Sequence, residues 1–352
     1  MSEYNYVFKR RGNPAEFTLM QDLQIEENST FKLKVVVPYE LGPEKGHDAA
    51  ILMLHGLNER SWQKYMPWAN AIAQMTGVPV VMFPIAFHID RSPESWSNPR
   101  VMQKLVCMQN EEDCSNGLHN SNLTFANYAL SSRIRENPMR FYVAGRQTVN
   151  DICQFLDEVR NGQYPFLEKD CKMDIFSYSI GSLLSQVLLM SNAGGYFSNS
   201  KLFMFCGGSL FSQMNGNSRL IMDKHSFERL RGFYNNKFLE MYFNHEIVHD
   251  IVNESFLAHI GKDLKRKERE EFYRANSHRI KIVALKNDLV IPVCGIKDAL
   301  GDAFDKILVQ MDFPFKYSHE IPFPFERKED LQNVNNWFGK VFSQAASFLK
   351  QK

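Results

Sequence analysis

Charge of one sign is almost wholly unspent in this sequence: 41 lysines and arginines stand against 40 aspartates and glutamates over 352 residues. Recognition of polyanions draws on a basic excess, so no nucleic-acid partner is expected. No apolar run approaches the roughly 18 residues of a membrane span. The opening residues, Met1-Ser2-Glu3-Tyr4-Asn5, lack the basic-then-apolar pattern of a secretory signal. Cysteine is scarce and nowhere arranged as CxxC; positions 107, 114, 153, 171, 206 and 294 read as reduced thiols. One of them closes the apolar run Phe203-Met204-Phe205-Cys206, where a thiol serves as a small hydrophobe. Internal repeats and low-complexity segments are absent as well. A soluble, cytoplasmic protein without a cofactor is expected.

What is present is an alternation of strands and helices. Hydrophobic residues make up 44% of the chain, enough for one large core or two modest ones. Two β-rich runs come first, at Glu16–Met20 and Phe31–Val37. The apolar runs Ala49–Leu54 and Val78–Phe83 then suit strands buried on both faces. Between them Trp62, Met66, Ala69 and Ala73 mark a helix face, the spacing that a parallel sheet with crossover helices requires. Residues 88–138 break the rhythm and read as an irregular insertion. It resumes with a helix over 141–160, a strand at Met173–Phe176, a helix at Ser182–Met190 and a strand at Lys201–Cys206. Residues 210–278 are helical, aromatic and charged, too long for a loop, and read as a helical cap inserted after the sixth strand. Strands at Ile280–Leu285 and Ile307–Met311 and a C-terminal amphipathic helix complete the core, 1–209 and 279–352.

The segment Ser177-Tyr178-Ser179-Ile180-Gly181 places a serine between small residues two positions on either side. A tight strand-to-helix turn crowds those positions and sets the serine at the free N–H groups of a helix start. With an apolar strand before it and a helix after it, the segment resembles the nucleophile elbow of the α/β-hydrolase superfamily, although Ser177 stands where glycine is usual. That resemblance spans about 49–350 and implies a mostly parallel sheet flanked by helices, with an acid and a histidine following the serine in later loops. Two segments match. Lys286-Asn287-Asp288-Leu289-Val290-Ile291-Pro292 follows a strand and resembles the acid loop; Tyr317-Ser318-His319-Glu320 follows the last strand and resembles the histidine loop. Asp288 is the better acid, with Asp298 and Asp302 as weaker alternatives. His55-Gly56-Leu57-Asn58 resembles the oxyanion loop, so the backbone N–H groups of Leu57 and Ile180 are the expected oxyanion donors, and His55 is expected to be structural. The implied activity is that of a serine hydrolase working through an acyl-enzyme on a small-molecule acyl substrate.

Two other readings come from the same residues. His245-Glu246-Ile247-Val248-His249 matches the zinc-hydrolase pattern HExxH, which on a helix sets two imidazoles one turn apart. A later glutamate such as Glu268 or Glu271 could serve as third ligand, and the metzincin continuation fails at Val252 and Ser255. The other alternative is a binding protein that keeps the fold without catalysis. If the cap roofs Ser179, its aromatics (Phe211, Phe227, Phe233, Tyr234, Phe238, Tyr242, Phe243 and Phe256) favour a substrate with an apolar portion. The plainer expectation is that they pack the cap onto the body.

Overall fold

A computed structural model describes residues 1–39, 46–117, 122–326 and 328–350. Among these, eight strands form one sheet: β1 (Ser2–Lys9), β2 (Thr30–Val37), β3 (His47–Leu54), β4 (Val80–Met82), β5 (Leu167–Tyr178), β6 (Leu202–Phe205), β7 (Ile280–Leu285) and β8 (Leu308–Met311). Their spatial order is β1-β2-β4-β3-β5-β6-β7-β8. The β1–β2 and β2–β4 pairs are antiparallel and the remaining neighbours parallel.

Side-chain alternation along the central strands builds a core on each face of the sheet. Ala50, Leu52 and Leu54 of β3, Met173 and Ile175 of β5, and Leu202 and Met204 of β6 face one core. Ile51 and Met53, Phe176 and Tyr178, and Phe203 and Phe205 face the other. A short α1 (Met20–Leu23) precedes β2. The second core is closed by α2 (Met66–Thr76), whose Trp68 and Ile72 are buried, and by the C-terminal helix described below. On the first face, α3 (Pro99–Ser115) and α4 (Tyr128–Glu136) lead into α5 (Met139–Arg160); α6 (Ile180–Ser191) follows β5. Between β6 and β7 lie α7 (Lys224–Asn235), α8 (Lys237–Phe243), α9 (Ile251–Ala258) and α10 (Arg266–Asn276). Then α11 (Val293–Leu300) and α12 (Phe304–Ile307) precede β8, and α13 (Leu331–Lys350) buries Val334, Val341, Phe342, Ala345 and Leu349 against the second core. Each of its larger side chains contributes on the order of 2 kcal/mol of burial. A mostly parallel sheet, helices on both faces and a long excursion after the sixth strand make this an α/β-hydrolase fold.

The structure departs from the sequence reading in three places. Glu16–Met20 is a turn, with Phe17 at φ 64°, and not a strand. The first strand is instead Ser2–Lys9, whose Tyr4, Tyr6 and Phe8 alternate inward. Residues 88–138 are not irregular but largely helical. Asn98 caps α3 by accepting from the N–H groups of Arg100 (3.0 Å) and Val101 (3.3 Å), and Pro99 occupies its first turn. Only Met102, Val106 and Asp113 of that helix are buried, so its apolar period is faint; positions 118–121 of the expected insertion lie outside the described residues. Thirdly, HExxH is not helical. His245 takes φ 60°, and the motif forms the loop between α8 and α9.

Two buried arginines fasten loops to this frame. Arg91 pairs with Asp151 of α5 at 2.5 Å with both side chains inaccessible. Arg269 of α10 donates to the carbonyls of Ala258, Gly261, Lys262, Leu264, Asp298 and Ala299, and so ties the end of the β6–β7 excursion to α11.

Candidate active site

The turn between β5 and α6 is made possible by what the neighbouring residues omit. A Cβ on Gly181 would lie 2.6 Å from the His55 carbonyl oxygen and 2.8 Å from that of Leu54. A Cβ on Gly207, after β6, would meet the Ser182 side chain at 2.1 Å. With both sides this close, Ser179 is held at φ 56°, ψ −123°, a conformation costing a non-glycine residue about 1–3 kcal/mol. Ser177 replaces the usual glycine without a clash. It faces the first core, is fully buried, and hydrogen-bonds Ser185 (2.9 Å) and Ser182 (3.2 Å) on α6. Small hydroxyl residues on the helix make room for the small hydroxyl residue on the strand.

Ser179, His319 and Asp288 come together in a buried chain of hydrogen bonds. His319 Nε2 lies 2.7 Å from Ser179 Oγ, and His319 Nδ1 lies 2.7 Å from Asp288 Oδ2. Asp288 Oδ1 accepts from the N–H groups of Val290 (2.9 Å) and Ile291 (2.8 Å), which orients the carboxylate from behind. With that carboxylate accepting at Nδ1, the imidazole proton sits on Nδ1 and Nε2 is free to accept from the serine hydroxyl. His319 stacks on Tyr178 at 5.3 Å, and the Tyr178 hydroxyl donates to the His319 carbonyl. The weaker acid alternatives lie elsewhere: Asp298 pairs with Lys262 at 2.8 Å and Asp302 with Arg274 at 3.8 Å.

The loop after β3 brings a second set of backbone donors to the elbow. His55 is fully buried, and its Nε2 accepts from the Ile85 N–H at 2.9 Å. Nδ1 therefore carries the proton and donates to the Gly56 carbonyl at 2.8 Å. Burial above all, with His88 nearby, holds this imidazole well below the usual histidine range and so neutral. Because a trans peptide points its N–H opposite to its carbonyl, fixing the Gly56 oxygen also fixes the Leu57 N–H. The Gly56 N–H donates to Tyr65 Oη (2.9 Å), whose hydroxyl donates to Glu59 (2.8 Å). Neither the Leu57 N–H nor the Ile180 N–H has an acceptor among the described residues. Leu57 and Ser179 line one open cleft, together with His319, Tyr178, Gln63 and Lys64.

Cys206 was not foreseen here. It follows β6 at φ 49° and is fully buried; burial first, then the nearby Asp288 carboxylate, push its thiol pKa well up. The Sγ, an Asp288 oxygen and a His319 nitrogen lie within 4.8 Å of one another. A cysteine closing an apolar strand carries no local sign of this neighbourhood; only the meeting of the β6 end with the Asp288 and His319 loops creates it.

The remaining motifs sit apart from Ser179. His249 Nε2 bonds the Tyr242 carbonyl at 2.7 Å and its ring stacks on His245 at 4.4 Å. The Cys206, Asp288 and His319 group is the one set of three His, Cys, Asp or Glu ligand atoms within 4.8 Å among the described residues, and it excludes His245 and His249. Most aromatics of 210–278 pack inward: Phe211, Tyr234, Phe238 and Phe256 meet Phe141 or Tyr142 of α5 or one another. Phe243 is exposed. No helix among the described residues is long and apolar enough to cross a membrane.

A family model described as a family of unknown function (DUF6051) matches residues 11–350. No curated protein matches the sequence. Among solved structures, the chain is similar to a hyperthermophilic esterase from the archaeon Pyrobaculum calidifontis, with 11% identity and a TM-score of 0.49 over 99% of this chain and 83% of that one. It is similar also to carboxyl esterase 2 from the fungus Tuber melanosporum (9% identity, TM-score 0.46, 91% and 82% covered). A third likeness is to a thermostable esterase from Pseudomonas putida (11% identity, TM-score 0.45, 100% and 84% covered).

Proposed function

The chain belongs to the family of unknown function DUF6051, and within it we propose that this protein is a serine hydrolase that cleaves carboxylic esters or related acyl bonds through an acyl-enzyme. The observation that carries this reading is the buried relay from Ser179 Oγ through His319 to Asp288, two contacts of 2.7 Å in line. Isolated serine hydroxyls are poor nucleophiles; a base within hydrogen-bonding reach, itself oriented by a carboxylate, is what activates them.

In the proposed reaction Ser179 Oγ attacks the substrate carbonyl carbon while His319 Nε2 takes the hydroxyl proton. Asp288 stabilises the resulting imidazolium. Negative charge on the carbonyl oxygen is met by the Leu57 and Ile180 N–H groups and by the N-terminus of α6. His319 then returns its proton to the leaving oxygen, nitrogen or sulfur, the acyl group stays on Ser179, and water activated by the same imidazole releases the acid. His55 positions the Leu57 peptide. The segment 210–278 acts as the cap, contributing Leu220 and Ile221 to the cleft wall.

Labelling with a fluorophosphonate probe tests the reading. The wild-type protein is expected to be labelled and Ser179→Ala not. A folded wild-type protein that stays unlabelled would favour the non-catalytic binding protein instead.

A further inference from the structure

Two voids border the elbow, a wide cleft of mixed polar and apolar lining and a narrower one lined almost wholly by apolar groups. One is the open cleft that holds Ser179 and His319, with Gln63, Lys64 and Glu320 on its walls. The other is a chamber between α5, α6 and α9, walled by Val149, Ile180, Leu183, Leu184, Val187 and Phe256. Leu57 lines both. The two residues whose N–H groups are assigned to the oxyanion thus both border the chamber. The polar groups at its edge already have partners: Arg146 pairs with Asp250, and Tyr142 Oη donates to Asn253 at 3.0 Å.

We propose that this chamber binds the acyl chain of the substrate, that the substrates are therefore acyl compounds with an extended apolar acid part, and that Gly145 sets the chamber's depth. The proposal rests on the hydrolase reading above. The general acid must touch the leaving atom, so the leaving group lies on the His319 side. His319 lines the cleft and not the chamber. The carbonyl's other substituent, the acyl chain, is left the apolar void.

Gly145 sits in the interior of α5, where glycine is a poor helix residue. Nothing about the backbone calls for it there. Its φ is not positive, and a Cβ at this position would meet no heavy atom within 4 Å. What it does border is the chamber. A larger residue would suit the helix and shorten the void.

The test sets two substrate series against wild type and Gly145→Phe: p-nitrophenyl acetate, butyrate, octanoate and laurate, and acetates of alcohols of rising length followed by acid release. Wild-type kcat/KM should rise with acyl length by roughly tenfold or more, as apolar pockets discriminate methylenes. The octanoate-to-acetate ratio should fall by roughly tenfold in Gly145→Phe, with no matching response in the alcohol series. Gly145→Ala should raise Tm, and Val187→Phe supplies a second obstruction should Gly145→Phe fail to fold. A flat acyl series in protein whose Ser179 reacts with fluorophosphonate, or unchanged ratios in the folded variants, would overturn the chamber assignment. A response confined to the alcohol series would overturn the choice of acyl side, and a lower Tm in Gly145→Ala would overturn the role given to the glycine. Failure of Ser179 to react at all would instead remove the hydrolase reading beneath it.

Discussion

Replacing Asp288 with asparagine changes one atom and, by the geometry of its loop, disarms the relay. The side chain has two orientations available. If its oxygen faced His319, its NH2 would face the Val290 and Ile291 N–H groups, which now donate to Asp288 Oδ1 at 2.9 and 2.8 Å. Leaving the buried Ile291 donor unpaired costs about 1–3 kcal/mol, and the half-buried Val290 donor adds to it. The opposite orientation keeps both bonds and turns the NH2 toward His319 Nδ1. Imidazole then adopts the other tautomer, with its proton on Nε2, and can no longer accept from Ser179 Oγ. Asp288→Asn should therefore fold with near wild-type stability yet lose roughly ten-thousandfold in kcat, the scale of a wrong-tautomer triad. Steady-state hydrolysis of a p-nitrophenyl ester, with the rate of fluorophosphonate labelling and a urea melt on the same samples, measures all three. Activity within about tenfold of wild type in folded Asp288→Asn protein would refute the orientation reasoning, since Asp288 would then not control the imidazole.

The remaining predictions concern stability. Arg91→Met strands Asp151, which keeps only the Gln147 amide bond at 2.7 Å; a loss of about 3–5 kcal/mol is expected in urea unfolding, and a loss below about 1 kcal/mol would show that the pair is dispensable. Burial pushes His88 and His259 from 6.5 down to about 4, and His55 in the same direction. Between those values the unfolded chain binds protons that the folded chain does not, so stability is complete above pH 6.5 and falls as pH drops toward 4. His88 and His259 should each contribute on the order of 3 kcal/mol to that loss, and unfolding free energies that stayed flat between neutral pH and pH 5 would contradict it.

Strand order along the chain, the doubly buried runs and the elbow were legible because each is written in local chemistry. Apolar runs of strand length, glycine where a carbonyl crowds, and polar turns after strands all show in a few consecutive residues. The errors fell where local signal is weak or shared. The alternation of Tyr4, Tyr6 and Phe8 lies in an edge strand with one buried face. Helix α3 buries few of its residues, so its Asn98-Pro99 start was a better marker than its apolar period. HExxH fits a helix in pattern, but a left-handed His245 ends that possibility.

By itself, then, the sequence determined an alternating sheet-and-helix fold and a candidate nucleophile with an acid and a base to follow it. Spacing alone reports which residues can stand at strand ends. Tertiary structure decided which of them meet, because the 2.7 Å contacts among Ser179, His319 and Asp288 join residues more than thirty positions apart. It also put the Cys206 thiol against Asp288, let small side chains on α6 accept Ser177, and left a chamber beside Gly145. Those are properties of packing between distant segments, and no local pattern encodes a void.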